Sequence, residues 1–88
     1  MRLYVKKPIP VEAVRVEKEN REEIISMLSR GSTKWEEMQN GFVVHSWEGI
    51  EPTLYGSDYY IIKGIKGECY PCDGKVFRDS YTEFYSDL

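Results

Sequence analysis

The sequence predicts an α+β domain, an antiparallel and strongly curled sheet of about five strands with one helix packed on a face. Three observations point there. The stretch Asp58–Phe77 concentrates β-forming residues around two glycines. Ile24, Ile25, Met27 and Leu28 form an apolar stripe at helical spacing. Reversal signals such as Asn40-Gly41 and Glu48-Gly49 then punctuate the rest of the chain at short intervals.

Taken in order, Leu3–Val5 alternate weakly and meet Lys6-Lys7-Pro8-Ile9-Pro10, whose two prolines predict an edge strand or extended arm without a regular ladder. Val11–Glu17 reads as a strand with Val14 and Val16 inward. Val11 and Ala13 fall on the other phase, so the strand is either bulged near Ala13 or covered on both faces. Asn20 followed by Glu23 has the form of a capping box, Glu22 and Glu23 suit the positive helix end, and Arg30-Gly31 supplies a stop; a helix over 21–30 follows. Alone it would be marginal, so its stripe must dock on the sheet.

Ser32–Gln39 carries no clear signal and reads as a strand or a turn. Phe42–Trp47 is a strand, and Asn40-Gly41 before it suggests a hairpin with Lys34–Met38. Ile50–Tyr55 is a strand broken by Pro52. Tyr59–Ile62, apolar and aromatic throughout, has the character of a central strand. Gly64 and Gly67 permit the reversal into Glu68–Cys72, where Pro71 lacks an N–H and places this second strand at an edge. Asp73-Gly74 opens a turn or a single helical turn through Arg78, and Tyr81–Tyr85 closes as a strand.

At 88 residues the chain is expected to form one domain, 1–88, with 41% apolar and 14% aromatic residues to fill a core. A domain of this size buries only about 60–65% of the surface its unfolded chain exposes, so its stability margin is modest. A net charge of −3 and a pI near 5.2 leave no broad basic footprint for nonspecific nucleic-acid binding. The longest apolar run, Tyr59–Ile62, is far short of the roughly 20 residues that span a bilayer. With no signal peptide at the start, a cytoplasmic protein off the membrane is expected, its two cysteines reduced.

Cys69 and Cys72 have Cys-x-x-Cys spacing, which serves dithiol redox centres and half-sites for zinc. On a strand, residues three apart face opposite ways, so packing as small hydrophobes is the favoured reading. Zinc would need further ligands, with His45 the sole histidine. His45 has no catalytic partner among its sequence neighbours, and Glu22-Glu23 and Glu36-Glu37 read as a helix end and a solvated turn. No catalytic residue and no cofactor is assigned. The sharpest ligand-binding idea is a face of Lys63, Lys66 and Lys75 with Tyr59, Tyr70 and Phe77, where lysines meet phosphate and rings stack on bases. Its bland counterpart is solvated turn lysines and tyrosines packing with hydroxyls at the rim.

Lys6-Lys7-Pro8 and Val11-Glu12-Ala13-Val14, with the run from Asp58 through Lys63-Gly64-Ile65-Lys66-Gly67-Glu68 to Tyr70-Pro71-Cys72, Val76-Phe77 and Tyr81, resemble a family of small bacteriophage and prophage proteins. The resemblance covers both ends of the chain and leaves Ser32–Leu54 without a counterpart. Cys69 stands where that family usually has Phe, which makes two thiols no family property, and Asp73-Gly74-Lys75 replaces a Lys-Pro-Asp-like turn. The resemblance implies a phage-derived origin. Together with the lack of catalytic machinery it leads to a non-enzymatic binding protein acting on a host or phage protein, for instance as an inhibitor of a host defence or regulatory protein. The alternatives are a protein that sequesters a nucleotide or other small anion, and a Cys-x-x-Cys redox or zinc protein. Edge strands and a small core also leave a homodimer open.

Overall fold

A computed structural model describes residues 1–4 and 9–82. Among the described residues the architecture is α+β, with six strands and two helices, and the strands form two antiparallel sheets of three rather than one curled sheet of about five. Sheet one has the order β1 (Glu12–Arg15), β5 (Tyr59–Lys63), β6 (Cys69–Asp73). Sheet two is the meander β2 (Trp35–Met38), β3 (Gly41–Val44), β4 (Pro52–Leu54). β1, β3, β4, β5 and β6 are each anticipated by their apolar or turn patterns, whereas β2 falls in the stretch that reads as a strand or a turn. The division into two sheets is not anticipated, because it depends on β1 pairing with β5 far along the chain instead of joining β2 and β3.

In sheet one, Val14 lies opposite Ile61 and Ile61 opposite Pro71, so these three share a face. The register of β1 runs without interruption from Glu12↔Lys63 to Arg15↔Tyr60. The phase slip at Ala13 therefore reflects cover on both faces and not a bulge: Val14 is buried and Ala13 half-buried. β5 is central and β6 is an edge, the positions expected from Tyr59–Ile62 and Pro71.

α1 spans Arg21–Ser29 and buries Ile24, Met27 and Leu28. These join Val14, Val16, Phe42, Val44, Ile61 and Cys69 in one core, with Ile25, Trp35 and Tyr55 packed at its edge. The core thus lies between α1, one face of sheet one and the inner face of sheet two. The capping box does not form. The Asn20 side chain makes no cap bond and donates instead to the Arg15 carbonyl at 3.0 Å, at the end of a 3₁₀ turn over Lys18–Asn20. Arg21 compensates by gripping Glu37 of β2 through both carboxylate oxygens, tying the helix start to sheet two.

α2 spans Gly74–Ser80, longer than the single turn anticipated. Asp73 is its N-cap, accepting from the N–H groups of Lys75 and Val76 at 2.8 and 3.2 Å. Phe77 stacks on Tyr60 at 4.0 Å between centroids and on Tyr81 at 4.9 Å, so α2 covers the face of sheet one opposite α1. Gly74 is required at the helix start, where a Cβ would collide with the Asp58 carboxylate and come within 2.7 Å of its carbonyl oxygen. Asp58 itself has φ of +60° and holds Arg78 with both oxygens at 2.9 Å. Tyr81 and Thr82 form no strand, and the rest of the closing strand anticipated over Tyr81–Tyr85 lies outside the described residues, as do Val5 to Pro8 of the expected arm.

Candidate binding site

The sheet division brings two free edges close together. β4 ends sheet two, β6 ends sheet one, and a groove of about 560 Å³ runs between them. Its walls include Pro52, Thr53 and Leu54 from β4, and Tyr70, Pro71 and Cys72 from β6. Tyr59 and Val76 add apolar surface at one end, and Ser46, Glu48, Gly49 and Glu51 close the other side. Thr53, the only buried polar side chain among the described residues, stands in this wall at 5% exposure.

The loop over 46–51 is shaped by a local reversal. Ser46 and Gly49 exchange backbone hydrogen bonds at 3.1 Å, and the Ser46 hydroxyl accepts from the Glu48 N–H at 3.2 Å. Gly49 has φ of +142°, and the tight turn pushes Trp47 outward. Trp47 is 79% exposed and Ile50 62%. Two large apolar side chains standing in solvent at the mouth of a groove cost hydration free energy that burial against a partner recovers.

The backbone rims of the groove offer few donors. Pro52 and Pro71 have no N–H, and the Cys69 N–H is already bonded to the Thr33 hydroxyl at 2.7 Å. An added strand would find an incomplete ladder at either edge. The charge of the walls is one-sided among the described residues: Glu48, Glu51 and Asp73 line the groove, and no described lysine or arginine does.

The residues of the lysine–tyrosine face are not gathered into one site. Tyr59 and Tyr70 line the groove. Lys63 is at the far end of β5, with its ammonium 3.0 Å from Glu12 and its side chain 18% exposed. Lys66 lies in the β5–β6 turn and Lys75 in the first turn of α2, neither in the groove walls. Phe77 is committed to the aromatic stack over sheet one. Tyr70, partly buried beside the Tyr81 hydroxyl, has its phenol pushed up to about 12 and stays neutral.

The cysteines are free and point to opposite faces: Cys69, opposite Lys63, enters the core, and Cys72, opposite Tyr60, lines the groove. Burial raises both thiols above the ordinary range, and for Cys72 the neighbouring Asp73 and Glu48 raise it further. That is the reverse of what an attacking thiolate needs. Among the described residues no three His, Cys, Asp or Glu side chains converge as a metal site. His45 instead donates through Nε2 to Glu36 at 3.1 Å across the β2–β3 hairpin. Sequence adjacency concealed this pair, and Glu36-Glu37, expected in a solvated turn, occupies a strand and binds His45 and Arg21.

A second depression, about 410 Å³, surrounds the Arg21–Glu37 pair and is bordered by Lys18 and Tyr55. The Arg21–Glu37 pair at its centre joins α1 to sheet two. Compared with known proteins, the chain matches no family model, no curated protein and no solved structure.

Proposed function

We propose that this chain is a non-enzymatic binding protein of bacteriophage or prophage origin that acts by covering a surface of a host or phage protein. The phage origin follows from the resemblance of its two ends to that family. The binding role is supported above all by Trp47 and Ile50, exposed by 79% and 62% on a hydrogen-bonded turn beside the groove. Trp is among the residues that dominate interface energetics, and a rigid turn presents it at low entropic cost. A defence or regulatory protein of the host is the natural target class for a phage protein of this kind.

No specific observation favours the anion-binding alternative. The groove that holds Tyr59 and Tyr70 is walled by carboxylates, which repel phosphate. The raised thiols likewise give no support to redox chemistry.

The test is affinity capture from bacterial cells expressing the tagged chain, run in parallel with Trp47→Ala and Ile50→Ala variants. The expected result is one partner retained in stoichiometric amount by the native chain and lost, by about tenfold or more, with Trp47→Ala. Absence of any stoichiometric partner, or equal retention by the variants, overturns the proposal.

A further inference from the structure

The first ten residues contain Arg2, Lys6 and Lys7 and no acid, in a chain whose net charge is −3. They also contain Leu3, Tyr4 and Ile9, which are 87%, 83% and 52% exposed and so find no cover on their own body. Pro8 and Pro10 carry no N–H to give to a ladder, and their fixed φ favours an extended path. The groove between β4 and β6 is complementary on each count. Tyr59 and Tyr70 offer aromatic surface, Glu48, Glu51 and Asp73 offer negative charge, and its rims are poor in backbone donors. Aromatic grooves of this type take extended proline-bearing segments, whose pre-set backbone loses little entropy on binding.

We propose that the groove is filled by the first ten residues of a second copy of this chain, so that the protein is an arm-exchanged homodimer. Each copy gives its cationic arm and receives the other's, a reciprocal contact that closes after two subunits. Trp47 and Ile50 are not among the groove walls, so the exchange leaves them free for a partner protein.

The test is sedimentation equilibrium of the full chain, purified native and in two charge-reversed forms. One form carries Arg2→Glu, Lys6→Glu and Lys7→Glu; the other carries Glu48→Lys and Glu51→Lys. All five positions are solvent-facing or belong to the arm, and circular dichroism checks that each form is folded. The native chain is expected to be a dimer that weakens as salt is raised. Each reversed form should associate about tenfold or more weakly, and an equimolar mixture of the two should recover the dimer, since each arm then meets a groove of opposite sign. A native chain that is monomeric at every concentration, a dimer indifferent to both reversals, or a mixture that stays monomeric each overturns the exchange. The outcome is independent of partner capture: a monomer that still captures its partner through Trp47 refutes the dimer and leaves the binding role standing.

Discussion

The carboxylate of Glu12 joins three elements, taking both nitrogens of Arg30 at the end of α1 at 2.8 and 2.9 Å and Lys63 of β5 at 3.0 Å. Hydrogen bonds from Arg30 and then Lys63 hold its pKa near 2, well below the ordinary 4.5. A depressed carboxylate stabilises the fold above its unfolded pKa, and that contribution is lost as pH falls through the folded value. Glu12→Gln should therefore cost about 1 kcal/mol at neutral pH, the size being set by solvent screening of a half-exposed cluster. The difference from the native chain should shrink as pH falls from about 4.5 towards 2, as read from urea midpoints across that range. A constant difference would mean that packing, not charge, is what the substitution removes. The two thiols give a second residue-level prediction. With both raised by burial, Cys72 should react with iodoacetamide more slowly than an unstructured cysteine, and Cys69 only on unfolding. Faster alkylation of Cys72 would mean a stabilised thiolate and would reopen the redox reading. At this scale the sequence was informative about character and silent about partners. That Cys69 and Cys72 face apart follows from strand geometry, whereas the bond between His45 and Glu36 depends on hairpin register.

Among the elements, α1 was readable to within a residue because its stripe of Ile24, Met27 and Leu28 repeats at the helical period over a sufficient length. β5 and β6 were readable for a related reason: an unbroken apolar run marks a strand covered on both sides, and a proline marks an edge. α2 was underestimated, since Asp73-Gly74 fits a turn as well as an N-cap followed by the first helical residue. Seven residues cannot hold a helix unaided, and its stability comes from the Asp73 cap, the Asp58–Arg78 pair and the ring stack over Tyr60. Phe77→Ala is expected to cost about 2–3 kcal/mol by chemical denaturation, below the full value for a buried ring because Phe77 is half-buried. Amide exchange should accelerate over Gly74–Ser80 while β3, on the far side of the core, stays protected. Unchanged exchange in α2 would show that the cap and ion pair suffice.

For the molecule as a whole, the number of strands is a local property and their partition is not. Glu12–Arg15 pairs with Tyr60–Lys63 across most of the chain, and nothing in the local pattern of either segment names the other. The same long-range pairing creates the groove by setting β4 beside β6. Tyr59 and Tyr70 were marked in the sequence as aromatic candidates. Glu48, Glu51, Trp47 and Ile50 were not, because the placing of Glu48 and Glu51 in the groove and the exposure of Trp47 and Ile50 beside it depend on where two sheet edges meet.

The central claim is that partners are engaged at the Trp47 end of the molecule. A photo-crosslinking side chain placed at position 47, and in a separate chain at Ile65, tests it directly, because Ile65 is similarly exposed at 65% but sits in the β5–β6 turn. Irradiation in living bacterial cells is predicted to give one discrete crosslinked species from position 47 and none from position 65. No product from position 47, or the same product from both, would contradict the account.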